Sequence, residues 1–186
     1  MKTNERFAPL RGRTMALAGS LMLAASCLAW QADAVAVRVP VATIGADLQK
    51  ALHDHYGVAE GAVLQETVAD ELARELKSAG ATVDAAAKPS IEVTIDDALP
   101  THPTRYQVEQ RPSLDPLRSV SRGGARLHAV LRGADGKEID HVDYDYYAMS
   151  LDTVSPSGNP WADARVTIER FATQVAQAWK RSAGRG

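Results

Sequence analysis

Apolar and polar residues alternate along Ile91-Glu-Val-Thr-Ile-Asp96, placing Ile91, Val93 and Ile95 on one side. That period of two predicts a half-buried strand, which Pro100 ends. Val35, Val37 and Val39 repeat the pattern before Pro40. A hairpin follows further on. Ala125, Leu127, Ala129 and Leu131 share a side, Ala134-Asp135-Gly136 makes the turn, and the return strand runs from Glu138 to about Met149. In that return strand Val142, Tyr144, Tyr146 and Ala148 share a side while Ile139 falls out of register, which predicts a bulge near Asp140. The period changes at Leu64, Val68, Leu72 and Leu76, with Ala69, Ala73 and Ala79 beside them. A four-residue repeat is the stripe of an amphipathic helix, and Gly80 stands where a left-handed cap is expected. Glu71, Arg74, Glu75 and Lys77 mark its other side as a solvated face. Trp161, Ala164, Ile168, Phe171, Val175 and Trp179 mark a second stripe, with Asn159-Pro160 predicted as N-cap and first helical residue and a fraying tail from Arg181 to Gly186. Asp47 to Tyr56 is ambiguous; Leu48, Ala51, Leu52 and Tyr56 can line a short helix stopped by Gly57. Ala85 to Pro89 reads as a linker.

These elements predict an α+β fold. It is a two-layer α/β sandwich, with a mixed sheet of about four strands, an antiparallel hairpin and two main helices on one face. Two helices cover little more than one side, so the other face is open or partner-covered. The first strand, helix and second strand can form a right-handed parallel crossover. Thr101 to Arg122 stands apart, because it has no periodicity and contains Pro103, Pro112 and Pro116. Such a long connection in a compact domain is expected to be functional or mobile.

The N-terminus changes where this domain is expected to work. Lys2, Arg6, Arg11 and Arg13 precede an uncharged apolar run, and Ala32-Asp-Ala34 closes it. Basic start, apolar centre and Ala-x-Ala end together predict a secretory signal peptide over residues 1–34, leaving residues 35–186 as one α/β domain, periplasmic or secreted. Two alternatives stay open. The uncharged run from Thr14 to Ala32 is long enough for a retained anchor. Leu23-Ala-Ala-Ser-Cys27 loosely resembles a lipobox, so Cys27 is a candidate for lipidation and membrane anchoring, although the expected Leu sits one place early. Cys27 is the only cysteine, so no disulfide staples the fold. The chain carries a formal charge of −2. Removing four basic side chains with the signal makes the domain more acidic, which argues against nucleic acid and anionic lipid as partners.

The candidate chemistry is sparse. His53-Asp-His55 is the only histidine cluster and lacks a third ligand, so no metal site is predicted. Ser113, Ser119 and Ser121 with His102, His128 and His141 lack a nucleophile elbow, and no cofactor loop is present. No catalytic residue is assigned. Asp96-Asp97 is read as a pair of turn residues at a strand end. Arg105, Tyr106 and Gln107, with Arg122 across the long loop, are the candidate binding residues. They can clamp an anionic or peptide group, or merely pin the loop. Of Tyr144, Tyr146 and Tyr147, one or two are expected in the core and the remainder on a docking surface.

Ile91-Glu-Val-Thr-Ile-Asp-Asp97, the Pro-Thr-Arg loop, Arg122-Gly-Gly-Ala125, Ala134-Asp-Gly136 and Trp161-Ala-Asp-Ala164 resemble small exported proteobacterial proteins built on a domain of unknown function. More distantly, the layout is similar to α/β modules of envelope lipoproteins that accompany secretion and transport machines. The resemblance covers most of Val35 to Trp179 and implies a non-enzymatic envelope role, without transferring any site residue. The expectation is therefore an accessory or binding protein that takes an envelope protein, a peptide or a glycan. The alternatives are a small hydrolase with residues 101–122 as a lid over His102 or His128, and a structural subunit of an envelope assembly.

Overall fold

The computed structural model describes residues 35–155 and 157–183. The signal segment, the Ala34 cleavage point, Cys27 and the last three residues of the tail lie outside them.

The chain forms a two-layer α/β sandwich. Its sheet has the order β2(Thr43–Ile44), β4(Ser90–Leu99), β5(Gly124–Arg132), β6(Glu138–Tyr147). β2 runs parallel to β4, whereas β4, β5 and β6 are antiparallel. A second, two-stranded parallel ribbon joins β1(Val35–Val37) to β3(Ala81–Val83). Arg38 stitches this ribbon to β4, donating its N–H to Pro89 at 2.9 Å and accepting from Ile91 at 2.9 Å. The first strand is thus paired with β3, and the crossover into β4 starts from β2. Neither β2 nor β3 is long enough to show a period.

Ile91, Val93 and Ile95 of β4 and Ala125, Leu127, Ala129 and Leu131 of β5 are all buried under the helices. Two strands carry a bulge, and only the one in β6 was expected. Ile139 is the unpaired residue of β6, since Arg132 faces Glu138 and Leu131 faces Asp140. Asp96 is the unpaired residue of β4, since Ile95 faces Leu127 and Asp97 faces Arg126. The extra residue returns Ala98 to the buried side. Asp96-Asp97 is therefore inside a strand and not a turn. The reason is that the ladder to β5 supplies the backbone partners that a turn carboxylate would otherwise provide.

α1(Ala46–Ala51) continues into one π-helical turn, Leu52–Tyr56, and stops at Gly57 with φ of 99°. α2(Glu60–Ser78) and α4(Ala162–Ala183) pack on one sheet face and against each other. Leu64, Val68, Leu72 and Leu76 are buried, as are Ile168, Phe171 and Val175. Each such side chain contributes about 1.5–3 kcal/mol by leaving water. Ala69 and Ala73 are exposed, so the α2 stripe is narrower than the alanines suggested. Gly80 has the expected positive φ of 86°. α4 begins three residues after Asn159. Asn159 Oδ1 accepts the Trp161 N–H at 2.8 Å, and its carbonyl accepts from Ala162 at 3.1 Å. Asn159 therefore makes a turn that feeds the helix instead of capping it.

The stretch from Thr101 to Arg122 is neither helix-free nor loose. It holds α3(Arg105–Gln110) and a well-bonded turn around Asp115. No helix among the described residues is long and apolar enough to cross a membrane.

Candidate functional site

α3 begins with a capping box. The Thr104 hydroxyl accepts the Gln107 N–H at 3.3 Å, and Gln107 Oε1 accepts the Thr104 N–H at 3.0 Å. The same hydroxyl donates to the carbonyl of Tyr56 at 2.7 Å, so fully buried Thr104 ties α3 to the end of the π-helical turn. Gly57 lies directly against Tyr106; a Cβ added there would stand 2.9 Å from the Tyr106 Cβ. Gly57 is thus required both by its positive φ and by this close approach. Tyr56 is held from behind by the edge of Trp161, with ring centroids 5.8 Å apart at 88°. Trp161 in turn donates its Nε1–H to Glu60 at 2.6 Å.

The far end of the segment is held by a polar knot. Asp163 is buried in the first turn of α4. Its carboxylate accepts from the Thr101 hydroxyl at 2.9 Å and from the Ser155 N–H at 2.7 Å. The Thr101 hydroxyl accepts the Asp163 N–H at 3.1 Å. Thr101 also donates its N–H to Pro160 at 2.7 Å and accepts from the Ser121 N–H at 2.8 Å. Gly123 sits so close to the Thr101 hydroxyl that no side chain fits there. The turn between is closed by Asp115, which accepts from Leu117 at 2.8 Å and Arg118 at 2.9 Å. Those two N–H groups hold the Asp115 carboxyl below the usual carboxylate range.

Between these anchors lie two joined clefts. One, of about 290 Å³, is lined by the π-helical turn (Asp54, His55, Tyr56) and by Tyr106, Gln107, Gln110 and Arg111. The other, of about 250 Å³, is lined by Pro100, His102, Pro103, Leu114, Ser119, Val120 and Ser121. Gln107 and Arg111, one helical turn apart, line both. His102 is only 6% exposed, and its Nδ1 is sealed from solvent without a hydrogen-bond partner among the described residues. A bare ring nitrogen is tolerated in that position better than an orphaned N–H, so the ring proton belongs on Nε2.

Of the sequence candidates, Tyr106 and Gln107 face this site. Arg105 lies on another side of α3, pairs with Glu109 at 2.8 Å and lines a separate apolar groove with Pro103, Val108, Pro116 and Pro160. Arg122 is exposed and reaches only the carbonyl of Met149, at 3.4 Å. The two arginines line none of the described clefts together, and no described contact joins them into a clamp. The loop is pinned instead by Thr101 and Thr104. Arg111, Tyr56, His55 and Gln110 complete the site and were not among the candidate binding residues; His55 was weighed only as a metal ligand and Tyr56 only as a helix-lining residue. The signal for Arg111 was present, since Thr104-x-x-Gln107 is a capping-box pattern that makes Gln107 and Arg111 neighbours on one helical face.

The remaining polar groups are elsewhere. His53 pairs with Asp54 at 2.8 Å, a contact that lowers the Asp54 pKa. No described group of three His, Cys, Asp or Glu side chains is arranged to hold a metal. Ser121 donates its hydroxyl to Pro100 at 2.6 Å, and among the described residues no serine is hydrogen-bonded to a histidine. His128 meets Asp96 at 3.2 Å on the uncovered sheet face. On the same face the Tyr147 hydroxyl donates to Asp97 at 2.6 Å, while Tyr144 packs on the core and Tyr146 lies under Arg170. In comparisons with known proteins, the chain matches no family model and no curated protein.

Proposed function

We propose that this is an exported accessory protein of the cell envelope that binds a partner without chemistry, in the double cleft centred on Gln107 and Arg111. The observation that carries the reading is the double cleft itself, whose two halves share Gln107 and Arg111, side chains with N–H groups that no described residue accepts. Donors left without a partner in a walled cleft favour a ligand that accepts from them. The walls suit this role because both ends of the segment are fixed by buried hydrogen bonds. The N-terminal pattern of residues 1–34 supports export, into the periplasm or outside the cell.

The test has two parts. The mass of the product recovered from periplasm and membranes should show a chain starting at Val35. A product starting at acylated Cys27 would place it on a membrane, and an intact N-terminus in the cytoplasm would overturn the export reading. Envelope extract passed over the protein and over the double variant Gln107→Ala/Arg111→Ala, matched by circular dichroism, should then differ in retained partner. Identical retention would overturn the cleft reading.

A further inference from the structure

We infer that the cleft recognises a chain-terminal carboxylate: the free C-terminus of an extended peptide ending in a small aliphatic residue. The proposal rests on the reading of the cleft as a binding site and adds the chemistry of its ligand.

The half around His102 is an assembly of donors. The only acceptor oxygen of the Gln107 side chain is used by the Thr104 N–H, so its amide offers two N–H groups. The Ser119 hydroxyl accepts the Asp115 N–H at 2.9 Å and keeps its own hydrogen to donate. His102 offers Nε2–H, and Arg111 brings a guanidinium that forms no ion pair among the described residues. No carboxylate lines this half. Side-chain donors around a single cation, with no carboxylate among them, fit a planar monoanion, which a guanidinium grips with two parallel hydrogen bonds.

The charge balance favours a carboxylate over a phosphate. Arg111 supplies the only full positive charge shared by the two clefts, and Asp54 lines the other half. A second negative charge would gain no partner and would meet Asp54. Beside the donors stand Leu114 and Val120 with Pro100 and Pro103, an aliphatic wall for one short side chain. The groove then continues past Gln107 onto Tyr106 and Tyr56. A free acid would leave that aromatic half empty, whereas an extended peptide fills both halves and is held at its end, a recurring mode of peptide capture.

The experiment uses the exported protein, isotope-labelled, and four probes: acetyl-Ala-Ala-Val with a free carboxylate, the same peptide as its carboxamide, acetate, and inorganic phosphate. The free-acid peptide is expected to shift the resonances of His102, Gln107 and Arg111. The carboxamide should bind about tenfold more weakly or worse, as should the protein variant Arg111→Gln toward the acid. The Arg111 side chain is exposed and makes no described hydrogen bond or ion pair, so the variant should keep the wild-type fold by circular dichroism. Arg111→Lys should lose most of the affinity, because it keeps the charge and loses the fork. Equal binding of acid and carboxamide would overturn carboxylate recognition while leaving the cleft a binding site. Phosphate binding as tightly as the acid peptide, or acetate doing so, would overturn the peptide-terminus assignment. Shifts confined to other surfaces, or none with any probe, would overturn the proposal, and the extract comparison with the double variant then decides the cleft reading independently.

Discussion

Beneath α2 and α4 the sheet is closed by Leu64, Leu72, Ile95, Leu127, Ile168 and Phe171, all fully buried and all apolar. At the other end of β4 the chain is closed by Thr101, Thr104 and Asp163, equally buried and all polar. The first region is held by many contacts that point nowhere in particular. The second is held by a handful of hydrogen bonds, each with one donor and one acceptor. Burial of apolar area is forgiving of direction, and so suits a layer that only has to stay closed. Hydrogen bonds fix position to a few tenths of an ångström, which suits a segment that must present side chains. The division matches where the cleft lies: α3 and the loop walls are attached through Thr104 and the polar knot, while only the π-helical wall also rests on the apolar layer, through Leu52, Tyr56 and Trp161.

The largest effect should come from the apolar layer. Phe171→Ala removes a fully buried ring between helix and sheet, and is expected to cost about 3–5 kcal/mol. Denaturant unfolding measures it, and the loss should be global, with sheet and cleft segment melting together. A cost below that of an exposed substitution would break the comparison.

Asp163→Ala should cost less, about 2–3 kcal/mol, by leaving the Thr101 hydroxyl and the Ser155 N–H without a partner. Its signature should be local. Amide exchange should accelerate over residues 100–123 while β5 and β6 keep their protection. Uniform acceleration across the sheet would show that the knot is part of the core and not an anchor for the cleft.

This division also sets what could be read from the sequence. The covered face was legible in Ile91, Val93 and Ile95 and in the large apolar residues of the α2 and α4 stripes, because a face that buries apolar area must repeat with the period of its element. The Ile139 bulge was legible for the same reason, as a break in that period. The knot was not. Thr101 and Asp163 stand 62 positions apart, and neither threonine nor aspartate declares in sequence whether its partner is water or another residue. α3 was hidden by the prolines around it, although its capping box was written in Thr104 and Gln107. Missing that helix turned Arg105 and Arg122 into a clamp. With the helix in place, the period of α3 gives Arg111 to the cleft and sends Arg105 elsewhere. β2 and β3 are held only by their neighbours and carry too few residues for any pattern.

Gly57→Ala should cost about 1–2 kcal/mol, from the positive φ and from the contact with Tyr106. It sharpens the comparison at the seam between the π-helical turn and α3. Thermal unfolding gives the cost, and shifted Tyr106 and Gln107 resonances should show the cleft disturbed while the sheet is not. A stability loss with an unchanged cleft would mean that α3 is positioned by Thr104 alone.

The smallest effect should come from the polar contact that is not sealed. Tyr147 donates to Asp97 on the uncovered sheet face, where both side chains are only partly buried. Burial first, and then the Asp97 carboxylate, raise the Tyr147 pKa above the ordinary 10.0. A phenol that holds its proton longer in the folded state stabilises that state fully below the unfolded pKa. As pH rises past about 10 the unfolded chain ionises first, and this stability is lost until the folded pKa is passed. Tyr147→Phe should therefore cost about 0.5–1.5 kcal/mol near neutral pH, from the lost hydrogen bond. It should also flatten the alkaline decline, so that the urea midpoints of wild type and variant converge as pH climbs above about 10. Other tyrosines and lysines titrate in the same range, and the difference between the two proteins cancels them. Parallel curves would mean that the hydroxyl is as well solvated in the fold as outside it. The worth of a polar contact in this molecule would then depend still more steeply on burial than the contrast between Asp97 and Asp163 implies.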